Sequence, residues 1–203
     1  MLLVSLIGKP SVVFFVILRE HLVESYCISR HHPHQLLVFF GADWTGNRSN
    51  RRSTSGYCTF VGDNLVTWRN KKQNVVARSS VEAEYRAMAH TACELLWVRS
   101  LLHDMEINVP IPMPMYCDNQ AAIFIASNPV FHERTKHIEV DCHFIRDLVL
   151  QKQIVTPYVQ SGDQLGDIFT KPMARATFLS LCSKLGIFNL YAPACGRVLE
   201  FYF

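Results

Sequence analysis

The 203-residue chain carries 20 Lys and Arg against 17 Asp and Glu, and 49% of its residues are apolar. The length fits one domain, the apolar share rules out wholesale disorder, and a net charge of +3 excludes a histone-like polycation. It does not exclude a local basic face set over an acidic centre.

Met1 to Leu18 is almost wholly apolar but is interrupted by Lys9-Pro10. A membrane span needs about 20 unbroken apolar residues, and a signal peptide needs a basic start and a small-residue cleavage site. Neither pattern is met, so we expect no membrane partner and an intracellular, non-secreted location in cytoplasm or nucleus. His31-His32-Pro33-His34 reads as a solvated turn. Seven cysteines without CxxC spacing point to free thiols in a reducing compartment rather than to a zinc site.

Gln35 to Phe40 is a short apolar run that leads into Gly41-Ala42-Asp43-Trp44, a strand delivering a carboxylate at its end. Asn47 to Ser55 is a basic loop. Tyr57–Val61 and Val66–Arg69 flank Gly62-Asp63-Asn64, a hairpin pattern. Ser79 and Ser80 are both able to cap the helix that follows, and Glu82 and Glu84 fall in its first turns, where the helix dipole favours acids. That helix is expected to run to about His103. A Pro110, Pro112, Pro114 connection precedes a strand over Met115–Cys117 and the turn Asp118-Asn119-Gln120. Then follow a short helix over Ala121–Ala126, an amphipathic helix over Ile138–Leu150, a strand over Ile154–Val159, a helix from Asp163 to Thr170, and a last helix over Phe178–Leu185 closed by Gly186. A meander followed by parallel crossovers is an α/β arrangement: one mixed sheet with helices on both faces. We divide the chain into an apolar N-terminal segment (1–33), a domain (34–172), and a C-terminal helix with an apolar tail (173–203).

Four acids stand at element ends: Asp43, Glu84, Asp118 and Asp167. Strand carboxyl ends are where ligands bind in open α/β sheets. Carboxylates converging there need cations, and two Mg²⁺ ions about 4 Å apart suit in-line hydrolysis of a phosphodiester. Acids at helix starts also serve simply as dipole partners, so spacing leaves both readings open. Arg48, Arg51, Arg52, Lys71, Lys72 and Arg78 gather in loops around the first three strands, as phosphate contacts or as a solvated basic surface. Trp44, Trp68 and Trp97 are expected in or at the edge of the core; His137 and His143 lie near the approach to the fifth strand, as helix-face or exposed residues or as a proton-shuttling histidine.

Five motifs then appear in order: Arg51-Arg52-Ser53-Thr54-Ser55-Gly56-Tyr57, Ser79-Ser80-Val81-Glu82-Ala83-Glu84-Tyr85-Arg86-Ala87, Tyr116-Cys117-Asp118-Asn119-Gln120-Ala121-Ala122, Arg134-Thr135-Lys136-His137-Ile138-Glu139 and Gly166-Asp167-Ile168-Phe169-Thr170-Lys171-Pro172. From about Leu36 to Gly186 the chain resembles the ribonuclease H domain of copia-type retrotransposon Pol polyproteins. The resemblance implies a ribonuclease H fold with a five-stranded mixed sheet. It also implies two-metal cleavage of the RNA strand of RNA–DNA hybrids with Mg²⁺ or Mn²⁺, and reverse transcriptase as the original partner in one polyprotein. It assigns the metal carboxylates to Glu84, Asp118 and Asp167, with Glu82 a neighbouring acid. The family's first strand ends Ser-Asp-Ala-Asp-Trp, so Gly41 occupies the place of the expected ligand. Asp43 lies about 7 Å further along the strand, on the same face, and is the only local substitute. We therefore expect impaired catalysis; the competing reading is an inactive nucleic-acid-binding or protein-interaction remnant. A second departure, Gly166 for the family's Ala, is expected to weaken a helix and loosen Asp167. Absence of an upstream polymerase reads as a fragment or a standalone reading frame.

Overall fold

The computed structural model describes residues 35–46, 49–128 and 138–187. The N-terminal apolar segment, Arg48, the stretch Arg134–His137 and the tail from residue 188 lie outside the described residues.

Alternating burial along β1 (Leu36–Asp43) sends Leu36, Val38, Phe40 and Ala42 to one face of the sheet and Leu37 and Phe39 to the other. β1 pairs antiparallel with β2 (Thr54–Val61), which pairs antiparallel with β3 (Asn64–Lys72). The β2–β3 turn is made by Gly62, whose φ of +59° suits the first position of a tight hairpin. The basic pair Lys71 and Lys72, expected in a loop, ends β3, because pairing with Ser55 and Thr54 carries that strand further than its apolar run.

Ser79 caps α1 (Ser80–Asp104), its hydroxyl accepting the Glu82 N–H at 3.1 Å. Residues Ala83, Ala87, Met88, Ala92, Leu95 and Val98 are buried along it against the first face of the sheet. β4 (Met113–Tyr116) includes Pro114, which is tolerated because pairing with β1 begins only at Met115. α2 (Gln120–Ser127), capped by Asn119, and α3 (Glu139–Leu150) complete the first layer.

The fifth strand is shorter than expected. β5 covers Ile154–Val155, and beyond Pro157 only a single parallel bridge joins Tyr158 to Cys117. The sheet order is β3-β2-β1-β4-β5, with β1, β4 and β5 parallel.

The helix expected over 163–170 is replaced by two 3₁₀ turns, Ser161–Asp163 and Leu165–Phe169. Its Gly166 also has a different role from the one expected. A Cβ there would meet the Phe40 backbone at 2.7 and 2.8 Å, so glycine lets the turn press against β1 and fixes Asp167 rather than loosening it. α4 (Arg175–Lys184) packs beside this turn, where Leu165, Leu181 and Leu185 cover Cys58 and Phe60 on the second face of the sheet. Trp44, Trp68 and Trp97 are 44, 46 and 36% exposed, half-buried at the surface rather than inside the core. Among the described residues no helix is long and apolar enough to cross a membrane.

Candidate active site

Parallel pairing of β1 with β4 stops at Phe39 and Tyr116. Beyond that point a crevice opens at the strand carboxyl ends, the usual ligand position in such sheets. Side chains take over the freed backbone groups. Glu84 Oε1 accepts the Ala42 N–H at 3.0 Å, and Gln164 Nε2 donates to the Tyr116 carbonyl at 3.2 Å. Gln164, fully buried, also accepts the Gly166 N–H at 3.1 Å and so holds the Asp167 turn against the end of β4.

The carboxylates arrive from four elements. Glu84 lies in the second turn of α1 and is 5% exposed; its Oε2 is buried with no hydrogen-bond partner. Asp118 follows β4 and accepts a hydrogen bond from Ser161 Oγ at 2.9 Å. Asp167 projects from the second 3₁₀ turn. Position 41 faces this group, since a Cβ on Gly41 would stand 2.9 Å from Asp167 Oδ1. Asp43 borders the same cleft of about 480 Å³ as Glu84 and Asp118, but its carboxylate folds back over Gly46 at the mouth. Glu82 turns away from the cleft, accepting the Arg78 N–H at 2.8 Å and pairing with Arg86 at 3.0 Å.

Sequence reasoning did not single out Lys171. Its ammonium donates to Asp167 Oδ2 at 3.0 Å and stands 2.9 Å from Oδ1, which takes no hydrogen bond of its own; Asp118 Oδ2 is 3.9 Å away. Position i+4 from Asp167 was the available signal. Ser161 and Gln164 were also missed, because their partners are more than 40 residues away in sequence.

Burial dominates the electrostatics. It pushes the Glu84 carboxyl up to about 8, against the Ala42 hydrogen bond, with the charges of Asp118 and Asp167 adding and Lys171 opposing. Burial likewise raises Asp167, opposed by its bond to Lys171. For Lys171, burial pulls the ammonium down, but the hydrogen bond and charge of Asp167, then Asp118 and Glu84, outweigh it and raise it overall.

The donor set fits one hard divalent cation. Glu84 offers an orphaned buried oxygen, and donor atoms of Glu84, Cys117 and Asp118 all lie within 4.8 Å of one another. The Cys117 thiol, pushed up to about 12 by burial, stays protonated beside them. From β1, position 41 supplies no donor to this group.

Of the candidate nucleic-acid residues, Arg51, Arg52, Lys71, Lys72 and Arg78 are exposed. Lys71 and Lys72 border a separate cleft of about 280 Å³ together with Arg69, Tyr57, His90 and Trp97.

No family model matches the chain. The Retrovirus-related Pol polyprotein from transposon RE2 of Arabidopsis thaliana is 43% identical over 165 residues, covering 81% of this chain and 11% of that protein. The corresponding polyprotein from transposon RE1 of the same plant is 43% identical over 152 residues, 75% of this chain and 10% of that one. The chain is homologous to a segment of copia-type Pol polyproteins. It spans about a tenth of the length of the curated relatives it matches. Among solved structures, LC11-RNase H1 isolated from compost superposes with a TM-score of 0.51 at 13% identity, covering 68% of this chain and 93% of that one. The fold of this chain is that of ribonuclease H.

Proposed function

We propose that this chain binds RNA–DNA hybrids and that its hydrolysis of the RNA strand is crippled at the first strand. The observation that carries the reading is Gly41. The position aims at Asp167 Oδ1 from 2.9 Å and brings no carboxylate of its own.

Glu84 and Asp118 would hold a divalent ion, Mg²⁺ or Mn²⁺, with Asp167 beside them. When bound, such an ion polarises a phosphoryl oxygen and offsets the charge that builds on it. The protein's own groups set the stage. Ala42 N–H and the α1 packing fix Glu84, Ser161 orients Asp118, and Gln164 with Gly166 holds Asp167 in place. Without a carboxylate at position 41, the side of the phosphodiester facing β1 goes unsupported, and the rate falls by at least about 100-fold, equal to about 2.7 kcal/mol in the barrier.

Hybrid binding rests on Lys71 and Lys72, with Arg69 and Trp97 beside them, and on Arg51, Arg52 and Arg78 elsewhere on the exposed surface. Such contacts read phosphates and A-form shape, not sequence. Hybrids of this kind arise in reverse transcription, so the polymerase of the same polyprotein is the proposed partner.

One observation favours a second reading, full activity through Asp43: its carboxylate borders the same cleft as Glu84 and Asp118. Cleavage of a labelled hybrid in Mg²⁺ or Mn²⁺ by the unmodified chain and by Asp43→Asn separates the two. Little cutting by either supports the proposal; robust cutting lost on Asp43→Asn supports the second reading.

A further inference from the structure

Lys171 reaches two of the site carboxylates at once. Its ammonium lies 2.9 and 3.0 Å from the two oxygens of Asp167 and 3.9 Å from Asp118 Oδ2, and its side chain lines the same cleft as Glu84 and Asp118. The position depends on the glycines beneath it. Gly166 lets the Asp167 turn press onto Phe40. At Gly56, a Cβ would meet Thr170 Cγ2 at 2.7 Å and Phe169 Cβ at 2.8 Å, so glycine admits the end of that turn as well. The Asn70 amide, donating to the Phe169 carbonyl, ties the turn to β3. Lys171 follows directly from this seated segment and is aimed inward.

We propose that Lys171 is an internal counterion competing with divalent cations for the Asp118–Asp167 side of the site. An ion bound to those carboxylates would sit about 2.1 Å from their oxygens, which leaves no room for an ammonium in contact with the same atoms. The lysine must swing out on its flexible four-carbon stem before the ion enters. In the absence of metal it partly neutralises the Asp118 and Asp167 carboxylates, which would otherwise repel one another. The inference rests on the reading that Glu84 and Asp118 hold a divalent cation.

The test is Mn²⁺ binding, followed by electron paramagnetic resonance of the free ion, for the unmodified chain, Lys171→Met and Asp118→Asn. Competition predicts that Lys171→Met binds Mn²⁺ at least tenfold more tightly than the unmodified chain, and Asp118→Asn at least tenfold more weakly. Equal or weaker binding by Lys171→Met, with binding intact in the unmodified chain, overturns the counterion role and leaves the cation site standing. No binding by either form overturns both. Should Lys171→Met fail to fold, the Lys171 amine of the unmodified chain serves instead. Its acetylation, followed by mass spectrometry, must accelerate on Mg²⁺ addition, and an unchanged rate overturns the proposal.

Discussion

A Cβ on Gly41 would stand 2.9 Å from Asp167 Oδ1. The contact makes position 41 part of the carboxylate group in geometry but not in chemistry. Asp43 lies two residues further along the same face of the strand. β1 stays in register with β2 through Asp43, which pairs with Thr54, so no bulge moves Asp43 back by two residues.

Gly166→Ala is expected to destabilise the domain by about 1–3 kcal/mol, the range for overpacking. Helix propensity alone would give the opposite sign, a gain of up to about 1 kcal/mol. The Phe40 backbone at 2.7 and 2.8 Å decides between them, because a strand backbone in mid-sheet has little freedom to retreat. Urea unfolding of the two forms checks the sign.

Glu84 gives a pH dependence. Its carboxyl is raised from 4.5 to about 8 by burial, so the folded state holds a proton that the unfolded chain has released. The resulting stabilisation is complete below about pH 4.5 and is lost as pH rises through about 8, on the order of a few kcal/mol. Thermal midpoints of the metal-free chain should fall between pH 5 and pH 8.5. Glu84→Gln should flatten that slope and be the more stable form at pH 8.5; an unchanged slope would show that Glu84 does not titrate in this window.

Lys71→Gln with Lys72→Gln tests the proposed hybrid contacts. If both lysines meet phosphates, the double variant weakens hybrid binding regardless of sequence. It also lowers the slope of log K against log salt by about two. An unchanged slope would assign the pair to a solvated edge of β3.

Much of this architecture was legible in the chain. Local signals were strong where one element decided its own form: Ser79 and Glu82 for the start of α1, Gly62 for the β2–β3 turn, the Leu36–Phe40 run for β1. They failed where distant packing decided. The stretch 163–170 was expected to be helical, yet Gly166 and the weak helix formers around it, the close approach of Gly166 to Phe40 and the bond from Gln164 to Tyr116 hold it as 3₁₀ turns. The β5 run continued past Val155 in pattern, but its ladder breaks at Thr156-Pro157, where proline supplies no N–H, and resumes only as the Tyr158–Cys117 bridge. At the site, the acids were visible one by one as element ends. The groups that orient them, Ser161, Gln164 and Lys171, were not, because their significance lies in which distant strand each one meets.

On the proposed reading, the carboxylate absent at position 41 limits hydrolysis. Hybrid cleavage by the unmodified chain and by Gly41→Asp, compared side by side in Mg²⁺ at equal folded concentration, tests it most directly. The restored carboxylate must displace Asp167 Oδ1 by a few tenths of an ångström. Its added charge should raise cation affinity, and cleavage should increase at least about 100-fold. Equal rates in the two forms, with the unmodified chain cutting efficiently, would contradict the account.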